Sequence, residues 1–365
     1  MFFCETQFRG ASKEGKGVRA INFPRARFAL VVVFSAALAA SQAAAQTAVK
    51  VALDGSFTGP SAPFLVAQDK GYYRTAGLDV TVDAAAVPPD VIGRVATGAA
   101  DFGLADINAL IRYRDQNPAP AIKALFMLYN KAPYAIVARK SRGITQPKDL
   151  EGKKLAAPAA ELASIQWPLL AKLNDIDVSK VKIENVGLPV REPMLAAGQV
   201  DAVTGISFST YINLKDRGVP VDDLVLLFMN DHGLQLYGHA IIANPKFVAE
   251  NPEAVRVFLH AFLKGLKDTI RDPARAVDSV IKRNDTAKKD LELERLRMAI
   301  RDNILTAEVR SNGLGGVDPA RLAKAIDQLS LTSKFKTPPE PSDIFDPSFL
   351  PPAADRKINE PPRAG

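Results

Sequence analysis

The chain reads as an α/β protein made of two βα lobes, and three observations predict this. Short β-branched and apolar runs alternate with helical patterns from Val49 to Ala243, the signature of βαβ units and a mostly parallel sheet. Val95-Ala-Thr-Gly98-Ala-Ala-Asp101-Phe-Gly-Leu is echoed by Leu195-Ala-Ala-Gly198-Gln-Val-Asp201-Ala-Val-Thr, 100 residues later. From Pro245 onward the pattern turns almost wholly helical.

Val49 to Leu53 is a β-branched run ending in the turn-rich loop Asp54 to Pro60. A helix over Ser61 to Lys70 is stopped by Gly71. Strands follow over Leu78 to Asp83 and Phe102 to Ala105, with a helix over Asp90 to Thr97 between them and one over Ile107 to Arg114 after them. Ile122 to Leu128 and Tyr134 to Ala138 are two further strands. The second half repeats the scheme: strand Lys154 to Ala157, helix Glu161 to Leu173, strand Val181 to Val186, helix Arg191 to Ala197, strand Ala202 to Gly205. A helix-like stretch then leads to strands at Leu224 to Met229 and Tyr237 to Ala243. Helices are expected over Pro252 to Ile270, Pro273 to Ile281, Lys289 to Ile304 and Pro319 to Leu329. In both echoed segments a helix ends on a Gly, which can take the left-handed conformation, and an Asp leads into a short strand. The last segment, Lys336 to Gly365, holds eight prolines and reads as an extended tail, wrapped on the surface or disordered.

With 365 residues, 47% hydrophobic and 24% charged, the chain has the composition of a globular protein, which excludes disorder over most of its length. Of 47 basic and 40 acidic residues, six and two fall in the first 46 positions, so the remainder carries only +3 and nothing points to nucleic acid. Arg25 and Arg27 precede a 13-residue apolar run, Phe28 to Ala40, followed by Ala43-Ala44-Ala45. A positive stretch, a short apolar core and an A-x-A end describe a secretory signal peptide cleaved after Ala45. Thirteen residues are too few to span a bilayer core, which takes about 20. The single cysteine, Cys4, lies before that point, so the exported chain would have no disulfide, thiol nucleophile or lipid-attachment cysteine. The expected product is soluble and periplasmic.

A catalytic constellation is not legible. The histidines His232, His239 and His260 form no H-x-x-x-H or H-E-x-x-H pattern, so no metal site is expected. Gly205-Ile-Ser207-Phe-Ser209 lacks the final glycine of a nucleophile elbow, leaving Ser207 as a helix cap or ligand hydrogen-bonder. Gly313 to Pro319 is glycine-rich but follows no strand and reads as a turn. An exported two-lobed α/β protein without catalytic groups is best suited to binding a ligand where the carboxyl ends of its strands face one another, with closure by hinge motion.

Ala62-Pro-Phe-Leu-Val-Ala67 followed by Gly71-Tyr-Tyr-Arg-Thr-Ala-Gly77-Leu-Asp-Val80, then Gly98-Ala-Ala-Asp101-Phe-Gly103, Lys148-Asp-Leu-Glu-Gly152-Lys-Lys and Gly198-Gln-Val-Asp201-Ala form an ordered set. It resembles the substrate-binding proteins of ABC importers for nitrate, sulfonate, taurine and thiamine-pyrimidine precursors, over about Val49 to Leu331. The resemblance implies a type II periplasmic binding protein fold, with a hinge and a central ligand cleft. Residues 1–45 would be the N-terminal extension and signal peptide, 49–137 plus 241–335 lobe one, 138–240 lobe two and 336–365 the proline-rich tail. Chain crossings near Ala138 and Ala240 would form the hinge. It also implies a monomer without cofactor that passes a small-molecule ligand to an ABC permease and its ATPase.

Ligand-facing loops should then carry Ser56, Phe57, Thr58, Asp106, Asn108, Tyr129, Lys131, Glu161, Ser207, Phe208, Tyr237 and His239. Phe57, Phe208 and Tyr237 could sandwich a planar ring. Asp106 and Ser207 could equally cap the helices they precede. A sulfonate or nitrate site would want several basic groups, yet only Lys131 and Arg191 are at hand, against Asp106 and Glu161. This favours a neutral or weakly basic heterocycle, such as a thiamine-pyrimidine precursor. Two rivals remain: a pyrimidine synthase of thiamine biosynthesis, which uses its own histidine, iron, pyridoxal phosphate and a cysteine cluster, and the effector domain of a LysR-type regulator. The missing cysteines weigh against the first, and the signal peptide in place of a helix-turn-helix against the second.

Overall fold

The computed structural model describes residues 46–84, 90–119 and 121–358. The signal-peptide reading and the last seven residues of the tail lie outside them. Two five-stranded sheets carry the fold. The first runs β2(Leu78–Asp83), β1(Thr47–Ala52), β3(Phe102–Asp106), β10(His239–Ala243), β4(Lys123–Met127) from edge to edge. The second runs β7(Lys182–Glu184), β6(Lys154–Ala156), β8(Ala202–Ile206), β5(Tyr134–Arg139), β9(Leu224–Phe228).

In each sheet four of the five strands point the same way, as the sequence leads one to expect, and one runs against them. β1 is parallel to β2 and β3, whereas β10 is antiparallel to β3 and β4. The second sheet matches this: β6 is parallel to β7 and β8, and β5 is antiparallel to β8 and β9. The cause is the crossing of the chain. β5 and β10 are the strands by which it arrives from the other sheet, so each runs against its neighbours. The expected crossing points near Ala138 and Ala240 therefore fall inside strands: Tyr134 to Arg139 already belongs to the second sheet, and the chain crosses over 128–133 and 229–238.

The echoed aspartates do the same job twice. Asp101 accepts a hydrogen bond from the Lys50 amide at 2.8 Å and donates its own amide to the Lys50 carbonyl at 2.9 Å. Asp201 repeats both contacts with Lys154, at 2.9 Å each. Each prolongs a two-residue parallel ladder, β1–β3 or β6–β8, by one rung. Their role is structural.

Strands β3 and β10 are buried along their whole length, as central strands covered on both faces must be. The helices Ala62–Asp69 and Pro252–Arg271 cover one face of the first sheet, with Phe64 against Phe262 at 4.5 Å and Phe102 stacked on Phe258 at 4.1 Å. Gly265 lets these helices approach: a Cβ there would overlap the Pro63 carbonyl and Ala67. The expected single helix Lys289 to Ile304 is α-helical only to Ala299, and Ile300–Ile304 forms a π turn. That turn brings Asn303 to the first crossing, where it exchanges two 3.1 Å hydrogen bonds with the Lys131 backbone. The proline-rich tail wraps the surface up to Ile358. Phe345 bridges to Ala124 at the sheet edge, Ile344 and Phe349 are buried, and the Arg356 carbonyl accepts from the Leu314 amide.

Candidate functional site

A cleft of about 490 Å³ opens where loops of the two sheets meet. The first lobe contributes Asp54, Ser56, Thr58 and Ser61 after β1, Asp90 before the helix Val91–Ala96, Asp106 at the end of β3, Tyr129, and His239 at the start of β10. The second contributes Glu161 and Leu162, Leu188 and Arg191, Ile206, Phe208 and Ser209. A groove of about 630 Å³ lies on the outer face of the first lobe, but several of its charges pair with one another, as in Lys70–Asp268 at 2.5 Å and Lys282–Asp69 at 3.7 Å. It touches none of the strand-end loops, so we place the site in the cleft.

Of the residues expected from sequence, Ser56, Thr58, Asp106, Tyr129, Glu161, Phe208 and His239 line the cleft. The others do not. Phe57 packs against the core of the first lobe, and its carbonyl accepts from Asn284. Lys131 pairs with Asp231 at 2.5 Å and lies over the Phe228 ring. Tyr237 is turned to the C-terminal helices: its hydroxyl donates to Glu308 at 2.8 Å and accepts from the Asp318 amide, while Arg321 covers its ring at 3.9 Å. The expected ring sandwich of Phe57, Phe208 and Tyr237 therefore does not exist. Ser207 is the first residue of the helix Ser207–Asp216, not its cap, and donates its amide to Pro133. Asn108 is fully buried one layer below the cleft.

On the first-lobe wall, Asp106 serves two purposes. One carboxylate oxygen caps the helix Ile107–Gln116 by accepting from the Ala109 amide at 2.8 Å. The other accepts from the Tyr134 hydroxyl. Asn108 donates to the same hydroxyl at 2.9 Å and to the Tyr237 carbonyl at 2.7 Å. Burial, then the Asp106 charge, pushes the Tyr134 phenol well above its ordinary value, so it remains a donor at neutral pH. Because Tyr134 opens β5, this buried network ties a first-lobe binding loop to the second sheet.

His239 places Nε2 2.8 Å from Asp54 Oδ2. Burial alone would depress its basicity, but the charges of Asp54 and Asp106 together outweigh that and leave it raised above the ordinary 6.5. Tyr129 meets both His239, at 5.3 Å, and Phe208 across the cleft, at 5.9 Å, in edge-on geometry. The opposite wall holds Arg191 and Glu161, both buried, with Arg191 Nη1 3.9 Å from Glu161 Oε2. The sequence places Arg191 at the start of a helix and among the basic groups at hand; the helix begins earlier, at Leu188, and carries Arg191 within it. Asp54 and Asp90 stand in a turn and at a helix start, where the sequence carries no sign that they line a cleft. Among the described residues, no cluster of three or more His, Cys, Asp or Glu side chains is placed to hold a metal, and no helix is long and apolar enough to cross a membrane.

This arrangement suits a small, partly planar ligand gripped from two sides. The balance of Asp54, Asp90, Asp106 and Glu161 against Arg191 and His239 disfavours an anion. Comparison with known proteins agrees with the fold. The periplasmic aliphatic sulphonate-binding protein SsuA of Escherichia coli superposes with a TM-score of 0.63 at 12% identity, covering 87% of this chain and 94% of that one. The periplasmic nitrate-binding protein NrtA of Synechocystis PCC 6803 gives 0.62 at 12%, covering 87% and 92%. By sequence, the chain is 27% identical over 301 residues to the riboflavin-binding protein RibY of Chloroflexus aurantiacus, covering 80% of this chain and 82% of that one. It is 26% identical over 302 residues to the 4-amino-5-hydroxymethyl-2-methylpyrimidine phosphate synthase THI13 of Saccharomyces cerevisiae, covering 78% and 86%. It is 25% identical over 289 residues to the formylaminopyrimidine-binding protein of Halalkalibacterium halodurans, covering 77% and 84%. A family model described as NMT1/THI5-like matches residues 59–276, more than half of the sequence, and the chain belongs to that family.

Proposed function

We propose that this protein is the extracytoplasmic solute-binding component of an ABC importer, capturing a small nitrogen heterocycle by closure of its cleft. The observation that carries this reading is the composition of the cleft: carboxylates in excess, one guanidinium, and the aromatic edges of Tyr129 and Phe208. Carboxylates accept hydrogen bonds from amino and ring N–H groups, and ring edges pack against a flat solute. The RibY and formylaminopyrimidine-binding relatives, named for a flavin and a pyrimidine, support the same class of ligand. The signal-peptide pattern before Gln46 supports export to the periplasm, where a permease with its ATPase would receive the loaded protein.

Titration calorimetry of the purified protein with riboflavin, 4-amino-5-hydroxymethyl-2-methylpyrimidine, taurine and nitrate tests the ligand class. We expect binding of a heterocycle and none of the two anions; tight taurine binding overturns the reading. The yeast relative is named as a synthase, so the protein should also be incubated with iron and pyridoxal phosphate. Formation of a pyrimidine product would replace the binding role with an enzymatic one. Against that outcome stands the lack of any cysteine after Cys4.

A further inference from the structure

The second-lobe wall of the cleft holds two buried groups whose hydrogen-bonding capacity is half used. Arg191 is 6% exposed and Glu161 7%. Arg191 Nη2 donates to Glu192 at 2.7 Å and to the Thr210 hydroxyl at 3.2 Å, which fixes one side of the guanidinium. Its Nε and Nη1 have no hydrogen-bond partner. Glu161 Oε2 accepts from the Ser164 amide at 3.0 Å and the Ser164 hydroxyl at 3.2 Å, and that hydroxyl in turn meets Thr204 at 2.6 Å. Glu161 Oε1 has no partner. The two groups do not satisfy each other, because the capping bonds hold the carboxylate and Glu192 with Thr210 holds the guanidinium, leaving them 3.9 Å apart. Buried charged groups left unpaired are costly, so such a pair is built for a third participant.

We infer that Arg191 and Glu161 together read a donor-beside-acceptor edge of the ligand, the –NH–C(=O)– of a lactam or the –N=C(–NH2)– of an aminopyrimidine. Arg191 donates from Nη1, the free nitrogen nearer Glu161, to the carbonyl oxygen or ring nitrogen. Glu161 Oε1 accepts from the adjacent N–H. An anionic group in the same place would meet Arg191 but also the carboxylates of Glu161 and Glu192, so sulfonates, phosphates and nitrate are disfavoured. This inference rests on the heterocycle reading and sharpens it from a ring class to a hydrogen-bonding pattern.

The test pairs each parent compound with an analogue lacking the donor: riboflavin with 3-methylriboflavin, and 4-amino-5-hydroxymethyl-2-methylpyrimidine with its 4-methoxy counterpart. Calorimetry is run on the wild-type protein and on Glu161→Gln, which keeps an oxygen for the Ser164 cap, and Arg191→Lys, which keeps the charge but loses the fork. For whichever parent binds, removal of the donor should weaken binding about 10- to 100-fold, and Glu161→Gln should do the same. The two losses should not add, since both delete one contact. Arg191→Lys should cost at least about tenfold. Equal affinity for parent and analogue, or unchanged affinity in Glu161→Gln, overturns the inference while leaving a heterocycle-binding protein. Failure of both parents to bind the wild type overturns the heterocycle reading, and this inference with it. Should Arg191→Lys melt below the assay temperature, the parent-and-analogue comparison on the wild type decides.

Discussion

Replacing Tyr134 by phenylalanine removes one oxygen from the network under the cleft. Tyr134 is fully buried, and its hydroxyl is the donor to Asp106 Oδ2. Without it, the nearest remaining donor to that oxygen is Asn108 Nδ2 at 3.5 Å, at the outer limit of a hydrogen bond. Asp106 keeps its capping bond from Ala109 and Asn108 keeps the Tyr237 carbonyl; the 2.9 Å bond from Asn108 to the hydroxyl is lost as well, and its freed N–H is left to turn to Asp106 Oδ2. The loss is therefore close to one hydrogen bond to a buried carboxylate, about 1.5–3 kcal/mol. For a chain of this size, each kcal/mol moves Tm by about 2 °C, which gives a fall of about 3–6 °C. Scanning calorimetry at pH 7 on wild type and Tyr134→Phe reads this directly. A Tm within about 1 °C of the wild type would mean that Asp106 is satisfied from the cleft side, and that the network does not tie the two lobes together.

Three further changes are informative. In Gly238→Ala, a Cβ would lie 2.9 Å from Tyr129 Cβ and 3.0 Å from Pro133 Cδ, wedging the two crossing segments apart; we expect a loss of about 1–3 kcal/mol and a wider solution envelope by small-angle scattering. His239 is raised by Asp54 and Asp106, with Tyr129 packed beside it, so its pairing stabilises the fold fully below its ordinary 6.5 and less as pH rises through the higher folded value. Urea unfolding of His239→Gln across that window should lose this slope, and an unchanged slope would assign it to another group. Phe208 is 6% exposed and packs into the first-lobe core as well as the cleft, so Phe208→Ala should weaken ligand binding and also cost about 3–5 kcal/mol in thermal unfolding.

The strands and helices were legible because burial imposes a period. The mostly apolar runs at Phe102 to Ala105 and Tyr237 to Ala243 and the amphipathic stretch Pro252 to Ile270 all became the expected elements, with shifts of a residue or two. The reversal of β5 and β10 was not legible, since no local signal marks them as the strands that come from the other lobe. The same gap displaced the expected crossing points by a few residues. At the cleft, the strand-end loops carrying Ser56, Thr58, Asp106, Tyr129 and His239 do line it, yet the side of the chain on which each residue points was not legible. Tyr237 lies two positions from His239 but belongs to a different environment, fixed by Glu308, Asp318 and Arg321 from a distant stretch of sequence. Arg191, counted among the basic groups at hand, was not placed on the cleft wall because a helical stretch does not announce which of its side chains faces a cavity.

β4 and β10 are antiparallel neighbours, and the chain departs at Leu128 to return at His239, where the Leu128 amide meets the His239 carbonyl at 3.0 Å. β5 and β9 are paired in the same way, so the departing segment begins and ends side by side as well. In effect, one whole lobe has been spliced into the tip of a β-hairpin. Such a graft leaves its host's register undisturbed and costs little in loop-closure entropy, since its own ends already meet. Swapping that lobe for a relative's, cut at the same two points, is the natural route to changing one wall of the cleft while keeping the other in place.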